Sequence, residues 1–555
     1  VSGPILFVVD DDAATLASLA GALERRFGAD YRVWSDRSPA SALGRLEEAC
    51  DRGESIALLI ADQWMPEMTG IDWLGRAREL CPGASRCLVV SYGDGAAIGL
   101  MHRAMILGLI DTCLVQPWGS PEERLYPLVS EILGAWVRLT RSHAEIVRIV
   151  GRRWEPRCHE LRELLEQNGV PCGFYEPDSD EGRRLLQGVD HGGRLPVLLF
   201  HDGRHLVDPA DGEIARVLGA GTEPATDLYD LAVIGAGPSG LAAAVYGASE
   251  GLRTLVIERR ALGGQAGSSS MIRNYLGFPR GIGGTELAIR AYEQAWSLGA
   301  EFVFTREACR LAARGTERIV TLAAQSEVRA RAVVVATGIA YNRLPAPGAD
   351  ALVGKGVFYG AATTEARALA GQDVYVVGGG NSAGQAAVHL ARCAARVTMV
   401  VRGASLAATM SDYLVKQIER TRGIRVRLDT QVVRVVGRQH LELLELEHVD
   451  AGGTEQVPAA ALFVMIGAGP HTEWLAGTLQ RDERGYVRTG RTVLREASGG
   501  APAWVLERLP YPLETSLPGV FAAGDVRDRA VKRVASAVGE GAIAIHSVHE
   551  YLGEG

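Results

Sequence analysis

Leu231-Ala232-Val233-Ile234-Gly235-Ala236-Gly237-Pro238-Ser239-Gly240 is the stretch whose reading decides the fold. An apolar run suited to a buried parallel strand enters G-x-G-x-x-G, and Leu241-Ala242-Ala243-Ala244-Val245 follows in a small-residue helical pattern. The first glycine makes the tight turn, the second lets a pyrophosphate approach the backbone, and the third packs helix on strand. The helix N-terminus then faces the phosphates. A second strand, Thr254-Leu255-Val256-Ile257, ends on Glu258. It lies about 20 residues on, where an acid bonds a ribose hydroxyl. Strand, turn, helix, strand and acid together predict a dinucleotide site at Gly235, Gly237, Pro238, Ser239, Gly240 and Glu258.

Working outward, 555 residues are too many for one core, so three or four domains are expected. A net charge of −8 without a basic block argues against a nucleic-acid surface. No apolar run reaches membrane-spanning length, and Val1-Ser2-Gly3-Pro4 lacks the basic start of a signal peptide. A cytoplasmic protein that binds no membrane is expected. Eight cysteines are present, with no Cys-x-x-Cys and no zinc spacing, so reduced, mostly buried thiols are expected.

A second strand, turn and helix occurs at Val374-Tyr375-Val376-Val377-Gly378-Gly379-Gly380-Asn381-Ser382-Ala383, in the form G-x-G-x-x-A. Its next strand, Val397-Thr398-Met399-Val400-Val401, ends on Arg402 instead of an acid. A cation there can take a 2′-phosphate, which favours NADPH, with NADH as the alternative donor. Two dinucleotide sites in one chain suggest hydride transfer from nicotinamide to a flavin. Val333-Val334-Val335-Ala336-Thr337-Gly338 is a strand with a small-residue end suited to close approach by a cofactor. Gly519-Val520-Phe521-Ala522-Ala523-Gly524-Asp525 offers a carboxylate that can accept from ribityl hydroxyls.

From about residue 228 to 552 the chain resembles low-molecular-weight thioredoxin reductases. The resemblance is carried by both Gly-rich turns, Gly263-Gly264-Gln265, Asn274-Tyr275-Leu276-Gly277-Phe278-Pro279, Ala336-Thr337-Gly338 and Gly524-Asp525. It implies an FAD-binding domain over 227–347 plus 466–555, an inserted NAD(P)H-binding domain over 348–465, and a homodimer. It implies FAD contacts at Gly264, Gln265, Asn274, Thr337, Gly338, Gly524 and Asp525, with Lys532-Arg533-Val534 along the flavin edge. NADPH would meet Gly378, Gly380, Asn381, Ser382, Ala383 and Arg402. The departures matter. The family's redox-active Cys-x-x-Cys falls here on Gly360 and Thr363, so no catalytic residue is assigned. The family's cluster of phosphate-binding cations is reduced to Arg402, within Val401-Arg402-Gly403, with Ala407 further on.

Residues 1–142 alternate apolar strands and helical patterns, with acids at the strand ends: Asp10-Asp11-Asp12 and Asp62. Such a cluster could hold Mg²⁺ at Asp10, Asp11 and Asp62 and leave a carboxylate free for a phosphoryl group. The segment resembles the response-regulator receiver domain, which implies Asp62 as phospho-acceptor beside Asp10, Asp11 and Ser91, and a histidine kinase as partner. The family's Lys before Pro117 is Gln116 here, an amide without charge. A helix over about 121–142 would lead out of this domain. Residues 143–220 resemble a thioredoxin/glutaredoxin-type domain whose Cys-x-x-Cys reads Glu155-Pro156-Arg157-Cys158, with a cis bond expected at Leu195-Pro196. Gly219 to Thr226 reads as a linker.

The fold class expected is therefore α/β multidomain: a flavodoxin-like receiver domain, a thioredoxin-like domain and a two-dinucleotide-domain flavoprotein. The whole resembles bacterial fused receiver/thioredoxin-reductase-like proteins. The leading function is an FAD-dependent NAD(P)H oxidoreductase passing electrons to an unidentified external acceptor. The alternatives are a flavin-based redox-signalling module coupled to the receiver, and a disulfide reductase using a thiol elsewhere, such as Cys158.

Overall fold

Strands buried on both faces fit a parallel sheet covered by helices, and three such runs, Ile5–Val9, Ile56–Asp62 and Ser85–Ser91, form the centre of the first unit, Val1–Ala144, with the less buried Arg32–Asp36 and Thr112–Gln116 at its edges. In the computed structural model the described residues are 3–106, 108–117, 119–140, 145–269, 271–278, 281–359, 369, 371–391, 394–449, 452–494 and 503–553. The strands are β1 (Ile5–Val9), β2 (Arg32–Asp36), β3 (Ile56–Asp62), β4 (Ser85–Ser91) and β5 (Thr112–Gln116). They pair in parallel in the order β2-β1-β3-β4-β5, a doubly wound arrangement. Helix starts are set by side-chain caps: Asp12 accepts from Thr15 N–H, Ser38 from Ser41 N–H and Thr69 from Asp72 N–H. Phe7 is fully buried, with its ring edge-on to Trp34 and Trp73 at 5.7 and 6.2 Å.

The helix Leu125–Thr140 ends this unit, with Leu125, Val129, Ile132, Leu133 and Trp136 buried against the same sheet face as helix Ala13–Phe27. One expectation is corrected: the cysteines are not all reduced thiols. Cys50 and Cys81 form a disulfide, because the ends of helices Pro39–Asp51 and Gly70–Leu80 bring their Cα atoms to 6.8 Å. Free thiols among the described residues are Cys87, Cys113, Cys158, Cys172 and Cys309, and Cys393 lies outside the described residues.

The second unit, Glu145–Gly555, starts with a small mixed sheet. Strands β6 (Val147–Val150), β7 (Cys172–Tyr175), β8 (Val197–Phe200) and β9 (His205–Val207) lie in the order β7-β6-β8-β9. Only the β6/β7 pair is parallel, and helix Pro156–Gln167 makes that crossover. The Leu195-Pro196 bond is cis, as expected, and so is Gln116-Pro117. The segment expected to be a linker is pinned: Arg306 Nε donates to Thr222 C=O at 2.9 Å, and Ala225 N–H to Glu301 at 2.7 Å.

The cofactor half is built on β10 (Leu228–Ile234), β11 (Thr254–Glu258), β12 (Glu301–Phe304), β13 (Ala308–Arg314), β14 (Glu317–Leu322) and β15 (Glu327–Val335). Their order is β12-β11-β10-β15-β14-β13, and strand Val520–Ala522 returns to pair in parallel with β15. Between departure and return the chain forms a second parallel sheet. Its strand order is Val357–Tyr359, Ala461–Val464, Asp373–Val377, Arg396–Val400, Ile424–Arg427. Helix Val534–Gly553 closes the chain's fold by burying Ala537, Gly541, Ala544, Ile545 and Val548. Among the described residues no helix is long and apolar enough to cross a membrane.

Replacing Phe7 with Ala should destabilise the first unit by about 3–5 kcal/mol, the range for a fully buried aromatic. Denaturant unfolding followed by tryptophan fluorescence, with Trp34 and Trp73 as reporters, measures it. A loss below about 1 kcal/mol would contradict the packing described.

Candidate functional site

Gly235 leaves β10 at φ +103°, and a Cβ there would sit 2.6 Å from the Ala336 carbonyl oxygen. A Cβ at Gly240 would lie 1.8 Å from the Gly235 carbonyl oxygen, so only hydrogen lets helix Pro238–Ser249 press onto the turn. Gly237 differs: a Cβ there would meet nothing within 4 Å, because the turn faces open space. Glu258 holds the turn from below. Its Oε2 accepts from Ala236 N–H at 2.7 Å, and its Oε1 from Arg260 N–H at 2.8 Å and Ala261 N–H at 3.2 Å. Burial raises the Glu258 pKa and these N–H groups pull it partly back.

The second turn repeats the design. Gly378 has φ +139° and a Cβ would lie 2.3 Å from the Met465 carbonyl oxygen, whereas Gly380 again faces open space. Asn381 Oδ1 accepts from Ser411 N–H at 2.8 Å, which ties the turn to the following loop.

Both turns line one cavity of about 2040 Å³. Of the residues expected at FAD, Gly235, Gly237, Pro238, Ser239, Glu258, Gly264, Gln265, Thr337, Gly338, Asp525, Lys532, Arg533 and Val534 line it. Gly378, Gly380, Asn381, Ser382 and Arg402 line it from the second sheet. Gly240 and Gly524 lie behind the wall as packing positions; a Cβ at Gly524 would be 2.1 Å from Ser239 Oγ. Ala383 is likewise fully buried beneath its turn. Asn274 is exposed and is not among the residues that line the cavity. Gly360 and Thr363 lie outside the described residues, as does Pro279.

Asp525 is raised in pKa by burial and drawn back by Lys532. Its loop is held by a residue the sequence did not flag: Glu540 accepts from Gly524 N–H at 2.6 Å and pairs with Arg527. Glu540 sits on a helix with no motif around it, so only the fold reveals the contact. A second unflagged contribution is helix Pro156–Gln167, whose His159, Glu160, Glu163, Glu166 and Gln167 also line the cavity. Its Cys158 is fully buried, donates to Glu155 at 3.7 Å, and is pushed up to about 12 by burial and then by Glu155. That thiol stays protonated at neutral pH, where a nucleophile needs the thiolate.

In the first unit, Asp62 ends β3 and Asp10 follows β1. Burial pushes Asp10 up to about 6, with repulsion from Asp62 and Asp11 adding to it. Asp62 is raised by burial and by Asp11 and Asp94. Asp10 accepts from Asp12 N–H at 2.9 Å and Asp62 from Trp64 N–H at 2.8 Å. Ser91 and Gln116 are register partners on β4 and β5. The Gln116 Nε2 is buried with no hydrogen-bond partner among the described residues. Among the described residues no group of three or more His, Cys, Asp or Glu is arranged to hold a metal ion. Asp10, Asp11 and Asp62 lie close enough for their charges to repel one another.

Comparison with known proteins bears on the cofactor half. The family model described as pyridine nucleotide-disulphide oxidoreductase matches residues 229–541. The thioredoxin reductase of Bacillus subtilis (strain 168) is 32% identical over 333 residues, covering 59% of this chain and 96% of that one. The 34.2 kDa protein in the rubredoxin operon of Clostridium pasteurianum is 30% identical over 327 residues, covering 58% and 97%. The crystal structure of Lactococcus lactis thioredoxin reductase (FR conformation) superposes with a TM-score of 0.52 at 26% identity, covering 59% of this chain and 99% of that one.

Gly237→Trp should fold, because the side chain points into open space, but should purify with little FAD because a pyrophosphate can no longer reach the turn. Flavin absorbance per protein measures this; full occupancy would contradict the site. Asp10 gives a pH prediction. Its pKa is raised to about 6 in the folded state, so its contribution to stability is fully present below the unfolded value and lost as pH rises through about 6. Asp10→Asn should therefore stabilise the first unit near pH 7.5 and change little near pH 4, to about one pH unit. Thermal unfolding at the two pH values checks this, and destabilisation near pH 7.5 would contradict it.

Proposed function

The chain belongs to the pyridine nucleotide-disulphide oxidoreductase family and is an FAD-dependent NAD(P)H oxidoreductase; we propose that it passes electrons to an external acceptor without an active-site dithiol. The observation that carries this reading is the single cavity lined by both Gly-rich turns. When bound, NADPH supplies a hydride and FAD accepts it. The chain's residues bind and orient. Gly237 and the following helix N-terminus receive the FAD pyrophosphate, Glu258 takes adenosine ribose hydroxyls on its remaining lone pairs, and Asp525 accepts from the ribityl chain. Lys532, Arg533 and Val534 run along the flavin edge. Gly380, Asn381 and Ser382 receive the second pyrophosphate, and Arg402 takes the 2′-phosphate.

One cation contributes about 1.5–3 kcal/mol as a charge-assisted hydrogen bond, less once solvent screens it, so NADPH is preferred over NADH only modestly. Gly360 and Thr363 stand where the resembled enzymes have their cysteines, and neither residue can carry a thiolate or form a disulfide. The disulfide-reductase alternative would fall to Cys158, and its buried, protonated thiol counts against it. We further read the chain as a homodimer and a cytoplasmic protein, on the resemblance.

The signalling alternative draws support from the first unit's parallel order β2-β1-β3-β4-β5 and from the carboxylates at its strand ends. In that reading Asp62 accepts a phosphoryl group from a histidine kinase, with Asp10, Asp11 and Ser91 alongside. Gln116 offers a buried N–H donor but no charge, so the modification is weakly stabilised.

Anaerobic rapid mixing with NADPH should bleach the flavin within a turnover. Adding thioredoxin and a chromogenic disulfide should leave NADPH consumption unchanged. Thioredoxin-dependent turnover at the level of a dithiol-bearing thioredoxin reductase would contradict the proposal, and its loss in Cys158→Ser would move the reading to the disulfide reductase.

A further inference from the structure

The β6–β9 domain has lost the first cysteine of its motif and buries the second, yet its helix Pro156–Gln167 forms a wall of the cofactor cavity. We propose that this domain is a brace across the cavity, and that Asn168 and Trp154 are positioning residues that hold the two dinucleotide-binding sheets in register for hydride transfer. The inference rests on the reading that both cofactors occupy this cavity.

One anchor grips the FAD side. Asn168 caps the helix, donating Nδ2 to Leu164 C=O at 2.8 Å. The same side chain clamps the neighbouring loop: Nδ2 donates to Arg260 C=O at 3.2 Å, and Oδ1 accepts from Leu262 N–H at 3.3 Å. Glu163, one turn earlier, pairs with the Arg260 guanidinium. This loop runs directly from Glu258 to Gly264-Gln265, so the brace holds the chain between two stretches of the FAD site. Gly169 seats the end of the helix against the same domain: a Cβ there would fall 2.3 Å from Ile289 Cδ1.

The other anchor grips the NADPH side. Trp154 packs against the core of the second parallel sheet, its ring 5.9 Å from that of His440. The His159 ring lies 5.0 Å from Phe358, on the edge strand of that sheet. The backbone of Pro156 comes so close to Gly354 that a Cβ there would lie 3.1 Å from Pro156 Cα. Between the anchors runs a helix of 12 residues, about 18 Å of rigid rod at 1.5 Å per residue.

Domains joined by modest polar interfaces move relative to one another unless something fixes them. Hydride donor and acceptor must meet at roughly 3–3.5 Å, and a misplacement of about 1 Å costs about 100-fold in rate. A strut gripping both sheets therefore acts on the rate of flavin reduction without touching either cofactor's reacting atoms. Releasing either end frees the same motion, so the two anchors act as one unit.

The test uses the full-length, FAD-loaded protein in anaerobic rapid mixing with NADPH, comparing Asn168→Ala, Trp154→Ala and the double variant. The NADPH concentration dependence separates the limiting rate of flavin bleaching from the NADPH dissociation constant. Each single variant is expected to lose about 10-fold in limiting rate while NADPH affinity stays within about two-fold, and the double variant to be no slower than the slower single. Asn168→Asp, which keeps the acceptor for Leu262 N–H, should recover part of the rate. Should Trp154→Ala fail to hold FAD, His159→Ala loosens the same anchor more gently. Unchanged or faster limiting rates, or losses that multiply in the double variant, would overturn the brace. A wild-type flavin that NADPH does not bleach would overturn the cofactor reading beneath it.

Discussion

A side chain cannot exist at Gly240: its Cβ would lie 1.8 Å from the Gly235 carbonyl oxygen. That close approach brings the N-terminus of helix Pro238–Ser249 onto the end of β10 and leaves Gly237 facing open space. The same constraint returns at Gly378, where the Met465 carbonyl oxygen fills the place of a side chain. Each turn offers backbone N–H groups and no steric bulk to an incoming phosphate. The remainder of the cofactor half arranges these two turns around one volume. Strand Val520–Ala522 is the device that completes it. Pairing beside β15, it carries Gly524 and Asp525 to Ser239, far away in sequence.

What the sequence made legible was local. Glycine spacing, strand-length apolar runs and the acid at Glu258 are encoded within a few dozen residues, and they were read directly. Asp525 and Arg402 were legible for the same reason, as polar residues ending apolar strands. Glu540 was not, because its role is to satisfy Gly524 N–H and Arg527 across the fold, and a helix surface carries no mark of such a partner. Asn274 is implied at the cofactor by resemblance alone, and it is exposed, outside the cavity lining. The Cys50–Cys81 disulfide joins two helix ends whose separation depends on sheet packing, so no spacing rule could announce it. The wall formed by Pro156–Gln167 is a contact between domains and has no local signature.

Departures from the resembled patterns recur through the chain. Gln116 stands where the receiver-like pattern has a Lys, Glu155 where the thioredoxin-like pattern has a Cys, and Gly360 and Thr363 where the reductase pattern has two. At each of these positions the amine or thiol of the resembled pattern is missing. At Cys158 the consequence can be followed in detail. The thiol lies against Gly151, where a Cβ would be 2.4 Å from its Sγ, excluded from water and beside Glu155, an environment that suits packing and opposes a thiolate. The helix Pro156–Gln167 that carries this thiol nonetheless reaches its neighbours through Asn168 and Trp154.

The central claim is that the flavin works without a dithiol beside it, and counting electrons tests that most directly. In an anaerobic dithionite titration of the FAD-loaded Cys50→Ser, Cys81→Ser variant, which lacks the first unit's disulfide, a flavin alone takes up two electrons, and a flavin coupled to a disulfide takes up two more. The account predicts full bleaching of the flavin at two electrons per FAD, with no further uptake. Uptake of four, with thiols appearing alongside flavin reduction, would contradict it.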